Sequence, residues 1–301
     1  MRSMLAVPFT ASVPLAVSGI SPFSSTLAST TKKHSHKFKL SLNVYSFNNP
    51  LRAGEIDLFD ILDFCAEYNF DAIDPTGYYF PGYPEVPSDP YINEFKRKAF
   101  LLGLDISGTG VRNDFANPDE SSRKADVKMI KAWIVAAAKL GIPNLRVFAG
   151  HIPEGVERDQ IFEWMAKDLK RCCEFGKEYG VLIAVQNHND FLQTADDVDR
   201  IFEMVDSEWL GLNLDIGSYR QHDPYLEIEQ NIKYAVTWQI KENVWNDGKE
   251  MPTDFIKLLG IIKDSGYRGY LPIETLGAGD PYIKVPVLLN NVKKSMQIVD
   301  V

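Results

Sequence analysis

Val181-Leu182-Ile183-Ala184-Val185-Gln186-Asn187-His188 reads as a buried strand with a polar end. Five apolar residues in a row fit a strand covered on both faces, as in a parallel sheet. Parallel strands need long crossover connections, usually helices, and both flanks supply one. Residues 159–179 read as a helix ended by Gly180. Residues 194–205 read as the next, with Thr194 as N-cap and Asp196 and Asp197 in the acidic first turn.

Outward from this stretch the same unit recurs. Short apolar strands are expected at 39–45, 70–74, 104–110, 144–149, 209–215, 235–242 and 270–274. Amphipathic helices are expected at 56–68, 91–102, 118–140, 252–265 and 282–299, with a short one at 225–231. Eight strand–helix units, without a Gly-rich dinucleotide turn, predict one α/β domain, a (β/α)8 TIM barrel spanning residues 37–301. The Pro/Gly-rich aromatic loop 77–84 is longer than a plain connection needs, which marks it as a functional candidate.

The chain has 301 residues, 45% apolar and 24% charged, ordinary values for a soluble domain with a large core. A net charge of −9 repels phosphate backbones, so no nucleic-acid partner is expected and a small molecule is. Cys65, Cys172 and Cys173 form neither a disulfide framework nor a metal-binding spacing, and read as core residues. Residues 1–36 differ from the rest. A basic start, an apolar run and small residues at Leu27-Ala28-Ser29 fit an export signal, hence an exported or periplasmic protein. Pro8 and Pro14 interrupt the run, and the alternative is a disordered leader. No run of about 20 apolar residues predicts a membrane span.

In a barrel the C-terminal ends of all strands converge on one pocket. Asn43 and Asp74 end the first two strands. Arg112 follows the third, Arg146 and His151 belong to the fourth, and Gln186 and His188 close the fifth. Asp215 ends the sixth, the seventh places Gln239 and Lys241 on one face, and Glu274 ends the eighth. Strand alternation predicts that Gln186 and His188 point one way and Asn187 the other. Each residue also has a plain structural reading: Arg146 as a buried ion-pair member, Lys241 as an interior lysine beside a carboxylate. Four successive strands ending in polar groups favour a site. Tyr78, Tyr79, Phe80, Tyr83, Trp238 and Trp245 are aromatic candidates for contact with a bound ligand.

Ala184-Val185-Gln186-Asn187-His188, Gly211-Leu212-Asn213-Leu214-Asp215-Ile216-Gly217, Gln239-Ile240-Lys241-Glu242 and Gly266-Tyr267-Arg268-Gly269-Tyr270 leading to Ile273-Glu274 resemble, in order and spacing, motifs of the xylose isomerase-like TIM barrels. That family includes sugar and sugar-phosphate isomerases, epimerases and dehydratases. The resemblance implies a divalent metal on Gln186, Asp215, Gln239 and Glu274. The family's usual residues there are Glu, Asp, His and Glu, so two of four depart, and Ser218 stands where a His is usual. Amide oxygens favour Mn²⁺, Mg²⁺ or Ca²⁺ over Zn²⁺. The resemblance also implies two metal-bound carboxylates exchanging a proton across sugar carbons, yet Gln186 carries no proton. Glu274, His188, Lys241 and His151 are therefore the candidate catalytic groups, and Asn43, Asp74, Arg112, Arg146 and Trp238 the candidate substrate contacts. Three activities fit: a carbohydrate isomerase or epimerase, a lyase or deglycosidase acting on 3-keto-glycosides by β-elimination, and a non-catalytic carbohydrate-binding protein.

Overall fold

A computed structural model describes residues 38–301, so the expected leader at 1–36 lies outside the described residues. The first half of the chain runs β1 (Lys39–Asn43), α1 (Asn48–Ala53), α2 (Leu58–Glu67), β2 (Ala72–Asp74), α3 (Asp89–Leu101), β3 (Asp105–Ile106), β4 (Thr109–Gly110), α4 (Glu120–Leu140), β5 (Asn144–Phe148) and α5 (Arg158–Tyr179). The second half runs β6 (Leu182–Gln186), α6 (Ala195–Val205), β7 (Leu210–Asp215), α7 (Pro224–Asn231), β8 (Ala235–Lys241), β9 (Asn243–Asn246), β10 (Lys249–Pro252), α8 (Phe255–Asp264), β11 (Tyr270–Glu274) and α9 (Pro281–Val299).

Nine strands form one curled parallel sheet in the order β3-β2-β1-β11-β8-β7-β6-β5-β4. Its two ends are halves of one interrupted stave. Only Ser107 and Gly108 separate β3, which pairs with β2, from β4, which pairs with β5. A bridge between Thr76 and Gly110 spans the remaining gap. The sheet therefore comes round on itself with eight staves, as a TIM barrel does. The interruption is the departure from the continuous strand expected at 104–110. Asn144 Nδ2 donates to Ser107 O at 2.9 Å inside the break, so the freed carbonyl is satisfied by a side chain.

Local signals explain the helices. Asp57 caps α2 through a reciprocal box with Asp60, and Thr194 caps α6 through the same device with Asp197. Asp119 accepts from Ser121 N and Ser122 N to start α4, and Gly141 ends it at φ 78°. A feature absent from the sequence reading is the β9–β10 hairpin, inserted where a direct run into α8 was expected. Its two-residue turn is Asp247-Gly248, both at positive φ, the combination that suits a hairpin's twist. The three cysteines are buried and free, as expected. Among the described residues no helix is long and apolar enough to cross a membrane.

β6 is tightly enclosed. Ile183, Ala184 and Val185 are fully buried, and α5 approaches so closely that a Cβ on Gly176 would collide with the Val181 carbonyl. A backbone carbonyl cannot rotate away as a flexible side chain would. Gly176→Ala is therefore expected to destabilise the protein. Overpacking costs about 1–3 kcal/mol, more than the roughly 1 kcal/mol alanine contributes as the better helix former. Urea unfolding of the two proteins reads the difference, and a variant more stable than the parent contradicts this packing.

Candidate active site

The strand ends meet in one cavity of about 210 Å³, lined by Asn43, Arg112, Arg146, His151, Gln186, His188, Gln239, Lys241 and Glu274. Register sets the geometry. Asp215 on β7 lies opposite Gln239 on β8, and Lys241 on β8 lies opposite Glu274 on β11. Parallel partners on adjacent staves face the same side of the sheet, so all four reach inward together. Gly217 gives the lysine room, since a Cβ there would stand 2.9 Å from Lys241 Cδ.

At the centre Lys241 Nζ sits 2.7 Å from Asp215 Oδ2 and 3.2 Å from Glu274 Oε2. Asp215 is fully buried and saturated. It also accepts from Gln186 Nε2 at 2.8 Å, Ser218 Oγ at 2.8 Å and Gly217 N at 2.9 Å. Its backbone is clamped by Asn187, which donates to its carbonyl and accepts from its N–H. Burial pushes the Asp215 carboxyl up, but the Lys241 ammonium and the hydroxyl of Ser218 outweigh it, so this group lies below the ordinary carboxylate range. For Glu274 burial wins over the same ammonium, and its carboxyl lies above that range.

Gln186 is oriented by its neighbours. Arg146 Nη1 approaches its Oε1 at 3.3 Å, and a guanidinium only donates. Asp215 Oδ2 faces its Nε2, and a carboxylate only accepts. The amide is therefore assigned by the network, with Nε2 donating also to Gln239 Oε1 at 2.7 Å. The Arg146 guanidinium donates to Tyr78 Oη at 2.8 Å and lies over the Phe148 ring at 4.4 Å. Gly110 makes space for it, because a Cβ there would strike the guanidinium.

The expected residues divide. His188 lines the cavity, though not by strand alternation. β6 ends at Gln186, and a tight turn follows in which His188 N donates to Gln186 O at 2.9 Å. Its Nδ1 stands 2.8 Å from Asp190 Oδ2 without the alignment of a hydrogen bond. His151 is at the exposed rim, 3.3 Å from the same carboxylate. Asp190 was not anticipated. Its sequence signal is an acidic residue two positions after a strand-end histidine. Asp74 does not line the cavity but sits behind Asn43, whose Nδ2 donates to it at 3.3 Å. Trp238 is a correction: it lies between the inward residues Thr237 and Gln239, faces the outer layer, is fully buried and packs edge-on against Tyr267. Of the other aromatic candidates, Tyr78 reaches the cavity, while Phe80 packs in the core and Trp245, on β9, stacks with Arg220 elsewhere.

Residues 62–292, well over half of the chain, match the family model described as xylose isomerase-like TIM barrel, and the chain belongs to that family. No curated protein matches the chain. Among solved structures it is similar to a D-tagatose 3-epimerase-like protein (TM-score 0.71, 21% identity, covering 87% of this chain and 98% of that one). It is similar also to 3-keto-D-glucoside 4-epimerase from E. coli (TM-score 0.70, 15% identity, 86% and 100%). A third is a xylose isomerase-like protein from Mycobacterium smegmatis in complex with magnesium (TM-score 0.68, 16% identity, 88% and 98%).

At the four positions where the resemblance expects a divalent metal, the residues present do not suit one. Among the described residues no three His, Cys, Asp or Glu side chains gather as a ligand set. Gln186 turns its N–H₂ toward Asp215, its oxygen is engaged by Arg146, and Gln239 Oε1 is taken by Gln186. The two remaining carboxylates share a lysine ammonium.

Asp74 supplies a test of the electrostatics beneath the cavity. Burial, opposed by Arg146, pushes its carboxyl from 3.8 up to about 6. Between those values the folded chain holds a proton that the unfolded chain has released, so stability falls as pH rises through this window. Asp74→Asn removes that loss. Stability between about pH 4 and pH 7 should then decline less than in the parent, by about 3 kcal/mol for a shift of this size. Denaturant unfolding across that range reads it, and an unchanged slope refutes the assignment.

Proposed function

We propose that this chain is a carbohydrate isomerase or epimerase-like enzyme that removes a proton from a carbon next to a carbonyl of a sugar or keto-sugar. The observation that carries this reading is Glu274, a buried carboxylate lining the cavity and held above the ordinary carboxylate range. Asp215, fully buried but held by the Lys241 ammonium and by donors from Gln186, Ser218 and the Gly217 amide, lies below that range and stays ionised. Environments that drive two neighbouring carboxyls apart are a means of assigning one as proton carrier and the other as fixed charge. Glu274 takes the proton, the C–H electrons form the enediolate C=C bond, and the carbonyl oxygen gains the negative charge. Gln186 cannot return a proton from the far side. Glu274 therefore reprotonates the adjacent carbon on the face it deprotonated while the hydroxyl proton passes to the former carbonyl oxygen, or a protonated His188 returns a proton to the original carbon from the opposite face. Asn43, Arg112 and Arg146 line the cavity as donors to substrate oxygens. The membership in a family with sugar epimerases among its structural neighbours supports the carbohydrate class.

A specific observation favours a second reading. His188 with Asp190 at 2.8 Å is an imidazole–carboxylate pair facing the same cavity, suited to general acid–base work. That pair would protonate the leaving oxygen in β-elimination from a 3-keto-glycoside.

Incubation in D₂O with free ketoses and with 3-keto-glucosides separates the readings. Solvent deuterium should enter the ketose at the carbon beside the carbonyl, and Glu274→Gln should slow this at least about 100-fold. Aglycone release that disappears in His188→Ala supports the lyase. Sugar binding without exchange or release leaves a non-catalytic binding protein and refutes both.

A further inference from the structure

We propose that the Lys241 ammonium takes the place of a divalent metal in this site, so that the chain stabilises the enediolate oxygen with its own side chain and works without a bound metal. This rests on the enediolate reading above and goes beyond it by naming the electrophile.

Three independent observations converge. The first is position. Nζ lies within 3.2 Å of both Asp215 and Glu274, the two carboxylates that remain of the four positions at which the resemblance puts a metal. The second is donor inventory. An ammonium has three N–H bonds; two are directed at Asp215 and Glu274, and the third is left for the cavity that Lys241 lines. The third is charge. The Lys241 ammonium already lies between Asp215 and Glu274 and offsets part of their negative charge. Carboxylate-rich cation sites owe their affinity to a surplus of negative charge, which the ammonium reduces here. The two glutamines follow from the same logic. A glutamate at position 186 would set a carboxylate oxygen against Asp215 Oδ2, where the glutamine places a donating N–H₂ at 2.8 Å. Gln186 instead donates to Asp215 and Gln239, closing the ring around the lysine with neutral donors.

In the reaction the third N–H of Lys241 donates to the substrate carbonyl oxygen. As Glu274 takes the carbon-bound proton, the developing oxyanion is neutralised by the ammonium at hydrogen-bond distance. No oxidant, reductant or further reactant is needed, and reprotonation of carbon restores the starting charges.

Mn²⁺ titration of the intact wild-type protein, followed by the electron paramagnetic resonance signal of free Mn²⁺, tests the proposal without any substrate. The free signal should stay undiminished at millimolar Mn²⁺. Binding of one equivalent that Asp215→Asn abolishes overturns the proposal. In the D₂O exchange assay, prior EDTA treatment should leave the rate unchanged, and loss of exchange restored by Mn²⁺ also overturns it. Lys241→Met should lower the maximal exchange rate by about 100-fold or more with little change in half-saturation. If that variant fails to fold, the wild-type titration still decides. Absence of exchange with every sugar, with no Mn²⁺ bound, sinks the enediolate reading and with it the catalytic role of Lys241, while the metal-free cluster stands.

Discussion

Two carboxylates and one ammonium, buried at the mouth of the barrel, set the terms for everything around them. Asp215 and Glu274 are nearly inaccessible to water, and either charge alone in that place would cost several kcal/mol. Lys241 offsets the cost for both, but unequally. It is closer to Asp215, which also receives Gln186, Ser218 and the Gly217 amide, whereas Glu274 has few other donors. The inequality divides the pair into a fixed anion and a group able to hold a proton. Arg146, one shell out, fixes Gln186 and so decides which end of its amide meets Asp215. Removing the lysine would leave two buried like charges, so the cluster stands or falls as a unit.

The barrel delivers this arrangement through register. Asp215 with Gln239 and Lys241 with Glu274 are partners across adjacent staves, and a slip of one residue would turn each to the outer face. Asn187, pointing away from the cavity, extends the ladder from β6 to β7 by gripping both backbone groups of Asp215. The interrupted third stave serves the other side. Its glycine at 110 lets the Arg146 side chain cross the sheet's inner surface and reach Gln186 and Tyr78. Small residues at 110 and 217 thus stand where long cationic side chains must pass.

Much of this was legible in the residue order. Apolar runs, caps and helix-ending glycines located eight strand–helix units, and the strand-end rule pointed at nine residues that do line the cavity. What it missed has physical causes. Alternation gave His188 the right direction by the wrong route: the strand stops at Gln186, and a turn rather than the pleat brings its ring to the cavity. Alternation was available for Trp238 and already placed it opposite Gln239; a polarisable ring near a sugar-family motif was given more weight than its parity. The hairpin after β8 carried a readable Asp-Gly turn signal. Lys241 was the hardest to judge, since one chain shows that it faces inward but not which staves stand beside it. Only the cross-strand pairing reveals that it meets two carboxylates rather than one.

A protein cation occupies the place between Asp215 and Glu274. A crystal structure grown in millimolar Mn²⁺, with data collected where manganese scatters anomalously, tests this directly. Lys241 Nζ should lie between the two carboxylates, with no anomalous density there. An anomalous peak bound by Asp215 and Glu274, with Lys241 displaced, would contradict it.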